Sequence, residues 1–400
     1  MRRQQANIAI VGASVAGLAL AAFLKRAGFN MRQVQIFDRT PWNHLVTSKR
    51  AAFPIGLWKN GLECLKQLDS DQKTLSELIA SGLWMDGPSS FTDHKLQTLA
   101  CPSTLQQGDF LFVELNRIMS LLRGYLGDQV EIQHREIRRH SESSEQVTLT
   151  FSDGKQVSCD YLIYANGLSN FRDNVQRYRF LDYTVVRGIA KSSQFKEAFQ
   201  AWGPHRIRFA VVPYKHDSCI WYAALPGMDG FLAGHQFFFL EEFVRSRWHQ
   251  GIVDIIEQVN YDELLIDEAY TSLDHPFSSS RVTYIGDAAH ATDPIAAQGV
   301  GIAIEDALEL TYQFKYNHQE DLQVFQTFES IRRSRVDAVR FASIISTLCA
   351  RFISARDWRK KLVQVLPERT KTRVCDSVIQ IALAPSIREA SKTFQPHNLV

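Results

Sequence analysis

Residues 8–29 read IAIVGASVAGLALAAFLKRAGF. Ile8–Val11 is an apolar run of strand length, and the segment from Val15 to about Ala27 has helical character that Gly28 ends. A second apolar run, Val34–Phe37, closes on Asp38. Strand, helix and strand in about thirty residues is the length a parallel crossover requires. The turn departs from G-x-G-x-x-G: Gly12 and Gly17 hold the first and third glycine positions, and Ser14 holds the second. In such a turn the first glycine permits the bend, the second the approach of a pyrophosphate, and the third close packing of helix on strand. Ser14 is the smallest polar replacement, and its hydroxyl can donate to a phosphate oxygen. Val15, Ala16 and Gly17 then present the N–H groups of the first helical turn to the phosphates. Asp38 follows Gly17 by 21 residues, with Arg39 beside it. A carboxylate there accepts from both ribose hydroxyls and argues against a 2′-phosphate. The same turn also serves only to pack a helix on a strand, so the rest of the chain must decide.

A chain of 400 residues, 45% hydrophobic, is long enough for more than one domain. Its formal net charge of +2 is too balanced to suggest nucleic acid or a membrane surface as partner, and no apolar run reaches spanning length. Six scattered cysteines without C-x-x-C spacing suggest reduced thiols, no metal and a cytoplasmic location. Short alternating strands follow from Val130, and Arg206–Pro226 reads as a hairpin about Lys215–Ser218. Beyond about 318 the chain reads as amphipathic helix with a cluster of Arg332, Arg333 and Arg335. Dinucleotide-type segments stand at both ends of other material, which predicts a discontinuous first domain.

Four further stretches carry the functional reading. YIGDAAHATDPIAAQGVGIAIEDA (284–307) contains Gly286-Asp287 and opens a helix near Gly299, Val300 and Gly301. DYLIYANGLSNFR spans 160–172, RAAFPIGLWKNGLECLKQL spans 50–68 from Arg50, and VELNR spans 113–117 to Arg117. Asp287, after a strand and a glycine, can accept from a polyol. The amino end of the helix can stabilise negative charge on a reduced ring, which suits a flavin better than a nicotinamide. His290 reads more readily as a buried structural histidine than as an acid or base.

Together these stretches resemble the single-component FAD-dependent aromatic hydroxylases, nearest in pattern to the salicylate and hydroxynicotinate hydroxylase branch. Departures are Asn166-Gly167 for the usual Asp-Gly, and Ala297 for the commoner glycine. The resemblance implies an α/β fold: a Rossmann-like FAD-binding domain of glutathione-reductase type, a middle β-sheet substrate domain and C-terminal helices. The expected boundaries are 1–75, 101–175 and 276–317 for FAD, 76–100 and 176–275 for substrate, and 318–400 for the helices. It further implies Arg50 and Arg117 at the cofactor, with Pro294 against the flavin ring. The implied chemistry uses NAD(P)H and O2 to hydroxylate an aromatic or polyketide-like small molecule through a C4a-hydroperoxyflavin. Ile207, Phe209 and Val211 share one strand face, expected to turn toward flavin and substrate with Arg206 and Arg208 outward, although the reverse would suit a carboxylated substrate; Tyr222 and His235 are further pocket candidates. No catalytic residue can be named from the sequence. Two alternatives stay open: a flavin reductase or dehydrogenase that inserts no oxygen, and a nonenzymatic flavin-binding protein.

Overall fold

The computed structural model describes residues 3–68, 73–85, 89–102, 108–170, 177–192, 194–226, 236–273, 275–317, 321–354 and 365–383. Its centre is a five-stranded parallel sheet in the order Val282–Tyr284, Tyr161–Tyr164, Ile8–Val11, Val34–Asp38, Ile132–His134. Alternation along the first strand separates two cores. Ile8 and Ile10 face the helices Val15–Arg26, Leu115–Leu126 and Gly299–Tyr316. Ala9 and Val11 face an antiparallel meander (Ile137–Glu142, Val147–Phe151, Gln156–Cys159) through Val147, Leu149 and Phe151. Both faces of the sheet are covered, which is why its strands are almost continuously apolar.

A seven-stranded sheet follows the order Leu265–Ser272, Tyr178–Lys191, Ser218–Pro226, Arg208–Tyr214, Ala198–Trp202, Ser89–Asp93, Thr98–Ala100. Its hairpin closes through the three residues Lys215, His216 and Asp217, the last two at positive φ. The early strands Ser89–Asp93 and Thr98–Ala100 extend this sheet rather than the parallel one. The middle segment also contains two helices, Gln236–Arg245 and Gln250–Glu257, where the sequence reads as strand-rich. Ile252, Val253, Ile255 and Ile256 recur at three-to-four-residue spacing and bury against Phe209, Trp221 and Trp248.

The 34-residue helix Asp321–Ser354 packs on Gly299–Tyr316, and the helix Glu368–Leu383 packs on it in turn. No helix among the described residues is long and apolar enough to cross a membrane.

Candidate cofactor site

The parallel register brings four strand ends level. Val11 pairs with both Phe37 and Tyr164, and Tyr164 pairs with Tyr284. Gly12, Asp38, Ala165 and the Ile285–Gly286 step therefore leave the sheet along one edge. Ligands of open parallel sheets bind outside those carboxyl ends.

At the first turn both glycines are required by their surroundings. Gly12 has φ +114°, and a Cβ there would stand 2.5 Å from the Ala165 carbonyl oxygen. A Cβ on Gly17 would stand 1.9 Å from the Gly12 oxygen. Asp38 Oδ2 accepts the Ala13 N–H at 2.7 Å, and Oδ1 accepts the Thr40 N–H at 2.8 Å. The carboxylate thus fastens the glycine turn to the second strand and retains lone pairs for a ribose. Arg39 is exposed, and its carbonyl oxygen lies 2.9 Å from His134 Nε2. Val15 and Ala16 open the helix and are buried.

Ser14 is the N-cap of this helix, in extended backbone, and makes no side-chain capping bond. Phosphate binding at the turn rests first on backbone N–H groups and the helix dipole. Ser14→Gly should accordingly leave FAD affinity within a factor of a few, measured by titrating FAD into deflavinated protein. A loss beyond about tenfold would assign the hydroxyl a charge-assisted bond of its own.

Three motifs converge at Gly286. It has φ +61°, and a Cβ there would meet Ala303 Cβ at 3.2 Å and Ala16 Cβ at 3.5 Å, so the two motif helices meet over it. Asp287 opens the short helix Asp287–His290, and its Oδ1 would lie 3.6 Å from a Cβ on Gly299, at the amino end of Gly299–Tyr316. Burial pushes the Asp287 carboxyl above the ordinary carboxylate range; His290 opposes this and Asp306 adds to it. The residue is nonetheless exposed to solvent, so the shift acts on a group that a ligand can reach. Its folded-state pKa is raised, so at neutral pH the ionised carboxylate costs the cofactor-free protein stability. Asp287→Asn should therefore raise the melting temperature of the deflavinated protein and weaken FAD binding by about 1.5 kcal/mol or more. A variant with unchanged FAD affinity would place the ribityl contact elsewhere.

Val300 is half-buried, and Gly301 is packed so that a Cβ would lie 3.1 Å from Asn60 Nδ2. Pro294 is exposed and starts the turn Pro294–Ala296, whose Ala296 carbonyl accepts from Trp58 Nε1 at 2.9 Å. Ala297 has φ +50°, ψ +29°, a left-handed conformation costly for any residue with a Cβ. Ala297→Gly should stabilise the protein by about 1 kcal/mol, read from urea unfolding; the small loss of apolar contact around the methyl works against this.

Behind the site lies a buried polar network. Asp306 Oδ2 accepts the Gly286 N–H at 2.7 Å and lies 2.6 Å from His290 Nε2, while Oδ1 accepts from Arg332 Nε at 2.5 Å. Arg332 also pairs with Glu305 at 2.7 Å, and Arg335 with Glu305 at 3.2 Å. Asn60 Nδ2 donates to Glu305 at 2.6 Å and to Gln298 at 3.1 Å. Burial raises both carboxyls, but Arg332 and Arg335 at Glu305, and His290 and Arg332 at Asp306, outweigh it and hold both below the usual range. His290 is accordingly a buried, paired side chain.

Other expected residues have protein partners of their own or a different orientation. Arg50 forks onto Asp267 in the seven-stranded sheet, a carboxylate it shares with Arg187. Arg117 is exposed and lies 3.4 Å from Glu114. The strand face is inverted relative to expectation. Ile207, Phe209 and Val211 pack with Trp221, Phe243, Trp248 and the helix Gln250–Glu257, away from the cofactor edge. The opposite face carries Val212, Ile220 and Tyr222, which join Phe53, Trp58, Phe110 and Ala297 of the cofactor side. The aromatic strand positions had a separate core to fill, which alternation alone does not reveal. Arg208, expected outward, is buried with its guanidinium over the Tyr183 ring at 4.7 Å. Tyr183 in turn donates to Asp293. His235 and residues 171–172 of the Asn-Gly segment lie outside the described residues.

Comparison with known proteins follows the same lines. The chain is similar to a FAD-dependent urate hydroxylase of Mycolicibacterium vanbaalenii, 23% identical over 350 residues that cover 82% of this chain and 85% of the relative. It is also similar to 6-hydroxynicotinate 3-monooxygenase of Bordetella bronchiseptica, 23% identical over 364 residues, covering 84% and 90%. Among solved structures, a salicylate hydroxylase substrate complex superposes with a TM-score of 0.74 at 17% identity, over 97% of this chain and 98% of the other. The family model described as FAD binding domain matches residues 5–342, and the chain belongs to that family.

Proposed function

We propose that this protein is an FAD-dependent monooxygenase that uses NAD(P)H and O2 to hydroxylate an aromatic or polyketide-like small molecule. One observation carries the reading: Ala297 of the cofactor loop and Trp58 share an apolar cluster with Val212, Ile220 and Tyr222 of the seven-stranded sheet. The cofactor edge therefore abuts a sheet face suited to an apolar ring. The glycine turn, Asp38, Asp287 and the Gly299 helix end fit a dinucleotide whose other half is a flavin. Bound FAD supplies hydride acceptance and oxygen activation, which no side chain offers.

The chain's own residues orient, shield and hold protons. Gly12 and Gly17 let the pyrophosphate approach the backbone, Asp38 takes the ribose and Asp287 the ribityl chain. The amino end at Gly299–Gly301 favours negative charge placed before it. Apolar side chains of the shared cluster exclude water. Burial, with Asp293 adding, lifts the Tyr183 phenol well above its ordinary range, so it stays protonated and donates. Buried Arg208 beside it lends positive potential that favours a phenolate or enolate substrate.

The test is product mass under oxygen-18 gas, with NADH and NADPH consumption followed across a panel of hydroxylated aromatics. One labelled oxygen in the product supports the reading. A reduced product without label would identify a reductase instead, and no NAD(P)H consumption with any compound would leave a flavin-binding protein.

A further inference from the structure

The sheet face that turns to the cofactor side is unevenly filled. Register sets Arg208 opposite Ala224 and Ala224 opposite Val185; two residues along, Ala210 lies opposite Tyr222 and Tyr222 opposite Arg187. By alternation these side chains share the face of Val212 and Ile220. Val185, Ala210 and Ala224 are part-exposed in the middle of the sheet, whereas Val186, Phe209, Val211 and Ala223 on the opposite face are completely buried. The three small residues form a shallow apolar floor, with Arg208 and Tyr183 at one end and Tyr222 and Arg187 at the other.

The two arginines differ in their partners. Arg187 is paired with Asp267. Arg208 is 7% exposed, and its guanidinium rests over the Tyr183 ring and bonds to that side chain. Its Nη1 has no hydrogen-bond partner, and no carboxylate among the described residues stands within ion-pair distance. A guanidinium keeps its charge when buried, and a buried charge without a counter-ion is costly. The neighbouring backbone is irregular as well. Pairing of Tyr178–Lys191 with Leu265–Ser272 breaks between Phe180 and Thr184, with Asp182 at φ +61°. Such a bulge re-aims a side chain beside a site. Tyr183 lies in it and donates to Asp293, the residue before Pro294. The Arg208 end of the floor therefore lies toward the cofactor loop.

We propose that Arg208 determines specificity by anchoring an anionic oxygen on the substrate's ring, a carboxylate or an ionised hydroxyl, while the ring lies on Val185, Ala210 and Ala224. The inference rests on the aromatic monooxygenase reading and adds a requirement for charge at one end of the substrate. Binding without turnover tests it, so its failure is distinguishable from a failure of product labelling.

The test is calorimetric titration of the FAD-bound protein at neutral pH with matched pairs: benzoate against benzamide, and 2,4-dinitrophenolate against 2,4-dinitroanisole. The anion of at least one pair should bind about tenfold or more tightly than its neutral partner, as a charge-assisted hydrogen bond predicts. The pair that shows the preference identifies the source of the charge. Arg208→Gln should remove the preference and leave the neutral compound's affinity within a factor of a few; Arg208→Lys should retain part of it. A purely structural role would weaken both members of a pair alike. Four results would each overturn the proposal: no binding of either anion, equal binding of anion and neutral partner in the wild type, a preference that Arg208→Gln keeps, or an equal loss of both members in that variant.

Discussion

Gly17→Ala should cost about 3 kcal/mol or more of stability and eliminate measurable FAD binding. The added Cβ would lie 1.9 Å from the Gly12 oxygen and 3.1 Å from Ile10 Cγ2. A flexible side chain could turn away, but the first of these obstacles is backbone. Gly12 has little room to retreat either, because even a Cβ built on it would stand 2.5 Å from the Ala165 carbonyl oxygen. Relief requires the first helix to lift off the strand, which moves the N–H groups that face the phosphates. Gly299→Ala is the internal control: its Cβ would meet only Asp287 Oδ1, at ordinary contact distance. That variant should keep its fold, whatever it does to cofactor affinity. Thermal unfolding with FAD titration separates the two, and a stable Gly17→Ala protein with normal affinity would refute the packing argument.

The legible parts of this chain were those where backbone geometry imposes residue identity. Gly12, Gly17 and Gly286 are fixed by positive φ or by atoms within contact distance, and such demands leave glycines at fixed intervals. Ala297 shows the same demand from the other side, because the residue departs from the expected glycine while the backbone keeps the left-handed turn. The two-residue periodicity of Ile207–Val211 was equally visible. What it lacked was a sign: both sheet faces are covered, and the larger aromatics went to a core completed by two helices that the sequence reads poorly. The Phe-rich run at 237–239 and the Ile-rich run at 252–256 have strand-like composition. Arg50 and Arg117 are expected at the cofactor by resemblance alone, and in the fold their guanidinium groups stand against Asp267 and Glu114. Least legible was the buried network. Its members are spread from Asn60 to Arg335, and only the tertiary fold brings them together. The one local signal was the spacing of Arg332 and Arg335, three apart and so on one helix face.

Arg332→Ala should destabilise the protein by about 3–5 kcal/mol, because it leaves buried carboxylates short of their counter-charge. Arg332 is itself fully buried, and its guanidinium is the only group that touches both Glu305 and Asp306 among the contacts described. Glu305 would retain Arg335, whereas Asp306 would keep only His290 and the Gly286 N–H. Arg332→Lys restores the charge but not the fork, so it should recover part of the loss. The pH dependence gives a second reading. Both carboxyls are held below the ordinary range in the folded wild type. Their contribution is therefore complete above the unfolded carboxylate range and disappears as pH falls through the lower folded values. In Arg332→Ala the Asp306 carboxyl loses a depressing neighbour, so the variant's acid sensitivity should begin at higher pH. The consequence reaches the cofactor as well. Asp306 holds the Gly286 N–H and so the turn that presents Asp287; loosening it should weaken FAD binding, and saturating FAD should return some of the lost stability. A variant that unfolds at the wild-type urea midpoint, with an unaltered acid limb, would show that the helix Asp321–Ser354 does not anchor the cofactor turn.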